Sequence, residues 1–519
     1  MNYKRLKRFR VIIAAIFLVL TGLLFTDIRH IIPESLFNLV LWLQFVPSAV
    51  KFIDAGEAAA LGFMAVLILT LLTGRTYCSF ICPLGILQDI SGRVGGIIKK
   101  RFRRYGYKKP HTVVRYFILA LTLAVTLTGG IFLLNILDPY SIFGRSVTLF
   151  AKPVVLWINN LMASAFHLFD SYALADIRIP PFRLMVYVIP ALFLLLVGFL
   201  SLIKGRLYCN MICPVGTLLG LLSKVLVFRI RIDGQKCTKC GRCAVACKSS
   251  CIDFLNKEID FSRCVVCFNC VEKCPDNAMN FGIGSLRKKE TQFDPERRAF
   301  MAGSAAFLLG LPVLQNQDKS VRVPVPVKAS TVKEPRTSFV SPPGSVGISN
   351  FTSRCTACSL CVSACPNNVL VPSFKQYGIT GIMQPYMDYH RGFCAYECIR
   401  CLEICPAGAL MPLLPEAKKL TQIGKAVFIR DNCIVETEGT ACGACAESCP
   451  TKAVHMIPFK GNLTIPETTD DICIGCGHCE YACPVTPYKA IFVNGNPVHT
   501  AARKPENVQT QLKHEDFPF

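Results

Sequence analysis

Cysteine is the residue type whose number and spacing most directly indicate chemistry in this chain. The sequence has 519 residues and 29 cysteines, and 24 of these cysteines fall into six groups of four. Thiolates are soft ligands that favour zinc, copper(I) or iron–sulfur clusters. The six groups are Cys237, Cys240, Cys243 and Cys247; Cys264, Cys267, Cys270 and Cys274; Cys355, Cys358, Cys361 and Cys365; Cys394, Cys398, Cys401 and Cys405; Cys433, Cys442, Cys445 and Cys449; and Cys473, Cys476, Cys479 and Cys483.

The spacing distinguishes between these metals. Four groups follow C-x2-C-x2-C-x3-C, while the groups that begin at Cys394 and Cys433 have a longer first gap. Such a run crowds three ligands together, unlike the paired C-x2-C knuckles of structural zinc sites. It is the bacterial ferredoxin pattern, in which the fourth cysteine, usually before proline, ligates the partner cluster. Proline follows every group except the first, where Lys248 follows Cys247. We therefore predict six 4Fe–4S clusters.

Five cysteines lie outside these groups. Cys251 is interpreted as a packing residue, with substitution for a cluster ligand as the alternative. The others form two C-x3-C-P motifs, Cys78 with Cys82 and Cys209 with Cys213, inside a twelve-residue segment that recurs 131 residues later with eight identities. A parallel repeat of this kind would bring the two pairs together. The four thiols are then candidates for a seventh cluster or for shared ligation of other clusters, and redox-inactive cysteines or dithiols are the alternative.

The elements that position these cysteines include membrane spans. Hydrophobic residues make up 52% of the chain, and several uncharged runs approach the roughly 20 residues that cross a bilayer. The stretches Ser35–Val50 and Pro153–Phe169 contain Pro, Asn, Gln or Trp, so we predict interfacial or half-buried helices there. The four predicted spans are Val11–Phe25, Ala58–Gly74, Tyr116–Leu137 and Leu184–Ile203.

The basic residues predict the orientation of these spans. Lys and Arg number 57 against 34 Asp and Glu, and they concentrate in residues 1–10, 75–115 and 204–231. Short basic segments beside spans remain in the cytoplasm. In so apolar a chain this charge is typical of a membrane protein, and no nucleic-acid partner is expected. We predict a multi-pass protein of the bacterial inner (cytoplasmic) membrane.

The fold class that follows is an α-helical membrane domain with two α+β ferredoxin domains of bacterial type. Arg297 and Arg298 precede an uncharged run, and they form either a twin-arginine export signal or the basic flank of an ordinary fifth span. Both interpretations place the C-terminal domain outside the cytoplasm. The predicted domains are a four-span membrane domain with both C-x3-C-P motifs at 1–228, a cytoplasmic two-cluster ferredoxin at 229–286, a basic flank and fifth span at 287–317, a Pro-rich linker at 318–350, and a periplasmic four-cluster ferredoxin at 351–519.

These motifs resemble two known families. Residues 1 to about 290 resemble NapH-type membrane ferredoxins in their four spans, two C-x3-C-P motifs and two-cluster ferredoxin, and NosR-type and CcoG-type proteins share the repeats. Residues from about 293 onward resemble NapG/MauM-type ferredoxins in Arg297-Arg298-Ala299-Phe300, Pro342-Pro343-Gly344 and the four C-terminal groups. The chain resembles a natural fusion of two quinol dehydrogenase components. It departs from these families in Lys248, in Cys251 and in having its leader internal.

The resemblance implies a function in electron transfer. The chain would oxidise menaquinol or ubiquinol from the quinone pool and reduce a periplasmic reductase of the nitrate-reductase type or a cytochrome c. The alternative is a maturation factor that donates electrons to a periplasmic redox enzyme. Near the periplasmic ends of spans, His30, Glu57 and Asp138 are candidates for accepting quinol protons, and each is also understandable as a plain interfacial residue.

The remaining motifs limit other cofactors and leave one question open. The sequence has no C-x-x-C-H haem motif, no P-loop and no dinucleotide fingerprint, so haem, NAD and flavin are not expected. The two predicted ferredoxin domains would face each other across roughly 30 Å of hydrocarbon. Either a bound quinone relays electrons between them, or the cytoplasmic clusters meet a separate donor.

Overall fold

The computed structural model describes residues 3–27, 31–55, 61–98, 105–283 and 332–504. Four predicted features lie outside these residues: His30, Glu57, the arginine pair at Arg297 and Arg298, and the fifth span near 299–317. The predictions about them stay predictions.

The described residues up to Val225 form an α-helical domain, named the membrane domain here after the spans that its sequence predicts. In it, long apolar helices alternate with short helices that carry the C-x3-C-P motifs. A π-helix, Val147–Ala151, joins two of the helices, and a 3-10 turn, Ser223–Val225, ends the domain. The helices are α1 (Tyr3–Thr26), α2 (Glu34–Trp42), α3 (Phe45–Ala55), α4 (Gly62–Thr73), α5 (Tyr77–Phe80), α6 (Pro83–Ile98), α7 (Thr112–Leu127), α8 (Phe132–Leu137), α9 (Pro139–Ser146), α10 (Lys152–His167), α11 (Leu184–Lys204), α12 (Leu207–Met211) and α13 (Pro214–Leu222).

In the described part of the chain, three helices are long and apolar enough to cross a membrane. They are Arg5–Thr26 in α1, the continuous helix Pro139–His167, and α11. The pair α2 and α3 would be a fourth if its 85° bend belongs to one broken span. The prediction of an interfacial or half-buried helix at Ser35–Val50 stays a prediction.

Two predicted spans differ from the structure. The predicted span Tyr116–Leu137 is interrupted, because α7 ends at Leu127 and Gly129 turns the chain with a φ of 85°. Glycine adopts such positive φ values without the steric cost that other residues pay. In the run Ala58–Gly74, the residues that the structure describes begin at Leu61, and they form α4, a helix of twelve residues. A helix of that length rises about 18 Å, which is less than the hydrocarbon thickness.

The stretch Pro153–Phe169 was predicted to be an interfacial or half-buried helix. Its residues up to His167 belong to the helix Pro139–His167, which is long and apolar enough to span and has half of its apolar stretch buried inside the structure. The helix begins with Pro139 in its first turn, and the carboxylate of Asp138 caps it by accepting from the Ser141 amide at 2.8 Å. Pro153 lies just after the π-helix, where the backbone hydrogen-bond ladder is already shifted, so the missing amide proton does not end the helix.

In the sequence repeat, an arginine of each copy donates hydrogen bonds to the backbone of the other copy. Arg75 of the first copy donates to the carbonyl of Cys209 in the second copy at 3.0 Å, and Arg206 donates to the carbonyl of Cys78 at 2.5 Å. Both arginines are fully buried. The glycine two residues after each motif proline packs against the carbonyl of the first cysteine of its own motif, where any side chain would collide. The identities shared by the copies therefore build one symmetric centre.

Asp89 of α6 joins the membrane domain to the first cysteine-rich segment, residues 228–283, which is called the first ferredoxin here. Its buried carboxylate pairs with Arg206 at 2.8 Å, Arg10 of α1 at 2.5 Å and Lys248 at 2.5 Å. Burial raises the pKa of Asp89, but the charges of Arg206, Lys248 and Arg10 outweigh burial and hold this pKa well below its usual range. After Cys247, Lys248 stands where the ferredoxin pattern has proline. The ion pair explains this difference, because the lysine side chain reaches Asp89 in the membrane domain.

The cysteine-rich segments fold as short helices and two-stranded antiparallel sheets. The sheets pair β1 with β4, β2 with β3, β5 with β6, β7 with β10 and β8 with β9. The first segment contains β1 (Phe228–Ile232), α14 (Arg242–Ala246), β2 (Ile252–Asp253), β3 (Glu258–Ile259), α15 (Asn269–Lys273) and β4 (Met279–Ile283). The second contains α16 (Ile348–Arg354), α17 (Leu360–Ala364), β5 (Leu370–Pro372), β6 (Pro385–Met387), α18 (Arg400–Glu403), α19 (Pro415–Lys419), β7 (Thr421–Phe428), α20 (Ile434–Thr437), α21 (Ala444–Glu447), β8 (Val454–Pro458), β9 (Thr464–Thr468), α22 (His478–Ala482) and β10 (Ile491–Ala501).

The two cysteine-rich segments contact opposite ends of α1. Lys7 forms an ion pair with Glu272 of the first segment, and the hydroxyl of Ser363 in the second segment donates to the carbonyl of Phe25. At 1.5 Å per residue, Lys7 and Phe25 are about 27 Å apart along the helix axis. Phe25 also belongs to a hydrophobic cluster with Tyr140 and Cys358, so the second segment packs into the membrane domain itself.

The Asp89 cluster provides a test of this interface. We expect Asp89→Asn to lower the free energy of unfolding by about 3–5 kcal/mol, because it leaves Arg10, Arg206 and Lys248 buried without a counter-charge. Thermal unfolding of the purified protein in detergent measures the change. Asp176→Asn, at an exposed carboxylate of the same domain, is the matched control. Equal melting temperatures for the two variants would contradict the role of Asp89.

Candidate iron–sulfur sites

The first cysteine-rich segment contains two four-thiol sites that exchange their fourth ligand. Cys237, Cys240 and Cys243 line one cavity together with Cys274 of the second run. Cys264, Cys267 and Cys270 of the second run line another cavity together with Cys247 of the first. Three ligands from one run and one from the other is the arrangement that two-cluster bacterial ferredoxins use. The structure therefore gives each predicted cluster a complete set of four thiols.

The second cysteine-rich segment repeats this exchange twice. In each of its four runs, burial raises the pKa of the third cysteine, and repulsion from three nearby thiols raises this pKa further. The third cysteines are Cys361, Cys401, Cys445 and Cys479. Bound iron would offset this repulsion and stabilise the thiolates. The sets are Cys355, Cys358, Cys361 and Cys405; Cys394, Cys398, Cys401 and Cys365; Cys433, Cys442, Cys445 and Cys483; and Cys473, Cys476, Cys479 and Cys449.

The size of these sites fits a cubane cluster better than zinc. Sulfurs around tetrahedral zinc lie about 3.8 Å apart, because each Zn–S bond is about 2.3 Å. Among the described residues, no three cysteine sulfurs lie within 4.8 Å of one another. The compact group found there, Glu334, His390 and Glu480, contains no thiol, and Arg336 pairs with both of its carboxylates.

The backbone between the cysteines is shaped for an anionic group. The residue before the second cysteine has a positive φ in the four runs of standard spacing: Lys239, Val266, Ala357 and Gly475. For the β-branched Val266 this conformation is strained. Turns of this kind direct successive amides into one concavity, as in other iron–sulfur and phosphate sites. The strain is consistent with a bound cluster that accepts hydrogen bonds from these amides.

Cys251 is a fifth thiol at the second site of the first ferredoxin. It is buried and lines the same cavity as the ligand set. Its sulfur lies 3.4 Å from that of Cys247, and its side chain also contacts Cys264. The packing interpretation describes its burial, but the contacts with two ligand sulfurs favour the alternative, in which Cys251 can substitute for a ligand.

The structure brings the four C-x3-C-P cysteines together. Cys78, Cys82, Cys209 and Cys213 are all buried and lie within electrostatic range of one another. They share one hydrophobic cluster with Cys267, a ligand of the first ferredoxin. The four thiols therefore pack next to the predicted cluster site that includes Cys267.

Positive charge and hydrogen-bond donors surround these four thiols. The side-chain amide of Gln88 donates to the sulfur of Cys209 at 3.2 Å, and the guanidinium of Arg75 lies 4.0 Å from the sulfur of Cys78. The exchanged Arg206 adds a second buried cation. A cluster with four thiolate ligands is anionic, so two buried arginines fit such a group better than they fit four neutral thiols. The sequence analysis did not identify these arginines, although both are identities of the repeat.

Tyr208 and Asp138 lie between the C-x3-C-P cysteines and Cys358 of the second ferredoxin. The hydroxyl of Tyr208 donates to the carbonyl of Leu137 at 2.8 Å and lies within electrostatic range of Cys213 and Asp138. Asp138 is in turn within electrostatic range of Cys358. Its carboxylate is buried and accepts from the amide and hydroxyl of Ser141. Asp138 is therefore a helix cap inside the domain rather than an interfacial residue.

These sites define an iron–sulfur electron-transfer protein of the ferredoxin type. Residues 56–104 and 185–233, which include the C-x3-C-P motifs, match the family described as "4Fe-4S binding domain". Residues 354–436 and 439–486 match the "4Fe-4S dicluster domain" family. The family assignments thus cover both kinds of cysteine motif.

Similar curated proteins narrow the class. The methylamine utilization ferredoxin-type protein MauM of Methylophilus methylotrophus is 32% identical over 197 residues, which are 37% of this chain and 83% of MauM. The ferredoxin-type protein NapF of Escherichia coli K12 is 29% identical over 30% of this chain and 87% of NapF, and NapG of the same strain is 31% identical over 27% and 64%. The chain belongs to the family of ferredoxin-type proteins that includes MauM. No solved structure matches it.

The role of Cys251 can be tested by ligand replacement. We expect Cys247→Ser to retain the second cluster with an altered EPR spectrum, because Cys251 lies close enough to replace the lost ligand. The double change Cys247→Ser with Cys251→Ser should lose about four irons per chain. Cys243→Ser is the control, because no fifth thiol lines its site. If Cys247→Ser alone loses as much iron as Cys243→Ser, Cys251 is a packing residue.

The C-x3-C-P centre makes a separate prediction. If the four cysteines hold one cluster, Cys78→Ser and Cys213→Ser should abolish the same EPR signal. Each should lower the iron content by about four atoms from the roughly 28 that seven clusters contain. Unchanged iron in both variants would mean that these thiols bind no cluster.

Proposed function

We propose that this chain is a membrane-bound quinol dehydrogenase, built as a natural fusion of a NapH-type membrane ferredoxin with a NapG/MauM-type four-cluster ferredoxin. It takes electrons from menaquinol or ubiquinol in the bacterial inner membrane. It passes them to a periplasmic acceptor, either a reductase of the nitrate-reductase type or a cytochrome c. The observation that carries the proposal is a cavity between membrane helices and a cluster site.

This cavity lies where the bent pair α2 and α3 meets the second ferredoxin. Its volume is about 620 Å³, which is within the range of small-molecule sites. Leu39 and Trp42 supply apolar surface, Lys51 and Glu403 supply polar groups, and Cys405 belongs to a cluster set. A quinol has an apolar ring with hydroxyl groups at opposite edges, so a lining of this composition suits it.

The chain's own residues would have distinct tasks at this site. A 4Fe–4S cluster, when bound, supplies one-electron transfer. Oxidation of a quinol releases two electrons and two protons, and the electrons would pass to the cluster one at a time. The carboxylate of Glu403 is placed to accept one proton, because it lines the cavity and remains partly exposed to solvent. The second proton would leave to the solvent at the same opening. Trp42 and Leu39 would hold the ring beside Cys405.

The order of the sites supports electron transfer along the membrane domain. The first ferredoxin adjoins the C-x3-C-P centre through Cys267, and that centre adjoins Cys358 of the second ferredoxin through Tyr208 and Asp138. A seventh cluster at the C-x3-C-P centre would divide the distance of about 27 Å between the ends of α1 that the two ferredoxins contact. In this proposal, electrons would pass between the two ferredoxins through the C-x3-C-P centre, without haem and without a quinone as relay.

The proposed orientation places the first ferredoxin in the cytoplasm and the second in the periplasm. Lys108 of the 75–115 segment and Arg206 of the 204–231 segment hydrogen-bond to the first ferredoxin, as expected for the cytoplasmic side. The contacts of the two ferredoxins with opposite ends of α1 support opposite sides.

The alternative function is electron donation to a periplasmic enzyme during its maturation. The similarity to a methylamine utilization ferredoxin-type protein supports this alternative function. The electron acceptor distinguishes the two, because a respiratory role requires sustained turnover and maturation requires a single delivery to each acceptor molecule.

Quinol oxidation by the purified, cluster-loaded protein tests the main proposal. We expect anaerobic mixing with a short-chain menaquinol to produce the EPR signals of reduced clusters. Glu403→Gln and Trp42→Ala should slow this reduction at least tenfold, because the first removes the proton acceptor and the second removes a wall of the cavity. Glu438→Gln, at an exposed carboxylate of the same ferredoxin, should have no effect.

Dithionite provides the internal control, since it should reduce the clusters of every variant. If dithionite reduces the wild type and quinol does not, the protein is not a quinol dehydrogenase. If quinol reduces all variants equally fast, the chain oxidises quinol at another site.

A further inference from the structure

A second cavity lies where the first ferredoxin meets the membrane domain. It is at the end of α11 and the start of α7, with a volume of about 250 Å³. Its lining is strongly basic and includes no carboxylate. The basic residues that line it are Lys108, Lys109, His111, Arg115, Lys204 and Arg263.

Three lining side chains carry buried polar atoms without a partner. They are Nε of Arg115, Nη2 of Arg263 and Oγ of Ser249, and these residues are 1%, 5% and 4% exposed. A buried donor without a partner costs about 1–3 kcal/mol. The three atoms are buried and do not face the cavity, so the structure packs polar groups of two cations behind its wall without an acceptor for them.

Each of the other guanidinium nitrogens of the two arginines makes a hydrogen bond. Nη1 and Nη2 of Arg115 donate to the hydroxyl and carbonyl of Ser262, each at 3.1 Å. Arg263 donates from Nε to Asp260 at 2.6 Å and from Nη1 to the carbonyl of Lys108 at 2.9 Å. These bonds fix both guanidinium groups, so the remaining donors are held in place rather than free to turn toward solvent.

Like charges also converge at this cavity. The side chains of Lys108 and Lys204 contact each other, although two ammonium groups repel at such a distance. The nearby carboxylate of Asp260 is already engaged by Arg263 and Ser262. An anion in the cavity would offset this repulsion and the charges of the two buried guanidinium groups.

We propose that this cavity binds a phosphate group. Arginine forks, lysines and a serine hydroxyl are the donors that recognise phosphate oxygens. The cavity lies at the polar ends of α7 and α11, and basic pockets at such positions bind the head groups of anionic lipids. The same chemistry would hold free phosphate. Either ligand would join the two membrane helices to Ser249 and Arg263 of the ferredoxin, and it would thereby fix the first ferredoxin on the membrane domain.

The test compares two sources of phosphate on delipidated, cluster-loaded protein in detergent. One arm adds phosphatidylglycerol, with phosphatidylcholine as the lipid control, and the other adds inorganic phosphate, with chloride at equal ionic strength. We expect one of the two phosphate sources to raise the melting temperature in a saturable way. Saturation by phosphatidylglycerol alone identifies a lipid head group, and saturation by inorganic phosphate identifies a free anion.

Two variants make the result specific to this cavity. Lys108→Gln with Lys204→Gln should weaken half-saturation at least tenfold, because it removes two of the facing cations without removing the fixed arginines. Lys224→Gln removes an exposed lysine that donates to Tyr116 outside the cavity, and it should match the wild type. Native mass spectrometry of retained phospholipid gives a second readout, which does not depend on the stability of the variants. No saturable effect from either source, or an equal effect in the double variant, would overturn the proposal.

Discussion

The exchange of two buried arginines between the copies of the repeat is the interaction on which the rest of the membrane domain depends. Each guanidinium binds the cysteine carbonyl of the other copy, so neither motif can adopt its position without its counterpart. Burying an arginine is costly unless its donors are satisfied and a counter-charge is near. Asp89 supplies that counter-charge for Arg206, and the same carboxylate also pairs with Arg10 and Lys248. A single carboxylate therefore couples the first helix, the repeat and the first ferredoxin.

The ligand sets follow from local sequence, because C-x2-C-x2-C spacing fixes three thiols on one loop. The exchange of the fourth thiol was also predictable, since this cysteine leads away from its own run. The spans were less predictable. An apolar run such as Tyr116–Leu137 does not reveal where the chain turns, and that depends on Gly129 and on packing against other helices. The reverse error at Pro153 arose because the π-helix that precedes it has no sequence signature.

Contacts between distant segments could not be predicted from single positions. Lys248 and Cys251 both appeared as departures from a family pattern. The first pairs with a carboxylate 159 residues away in the sequence, and the second lies beside two ligand sulfurs. Arg75 and Arg206 were visible as identities of the repeat, but their partners belong to the opposite copy. Departures and identities of this kind mark positions where tertiary structure, rather than local spacing, selects the residue.

The contact between Ser363 and Phe25 has a consequence for a chain that carries both cysteine-rich segments. When two parts of one polypeptide bind each other, the tether sets their effective concentration, which reaches the millimolar range for short flexible connections. An interface that would be too weak between separate subunits can then remain occupied. Selection on such a chain can relax the docking surface without losing the complex, and a one-to-one stoichiometry of the two halves is guaranteed by translation.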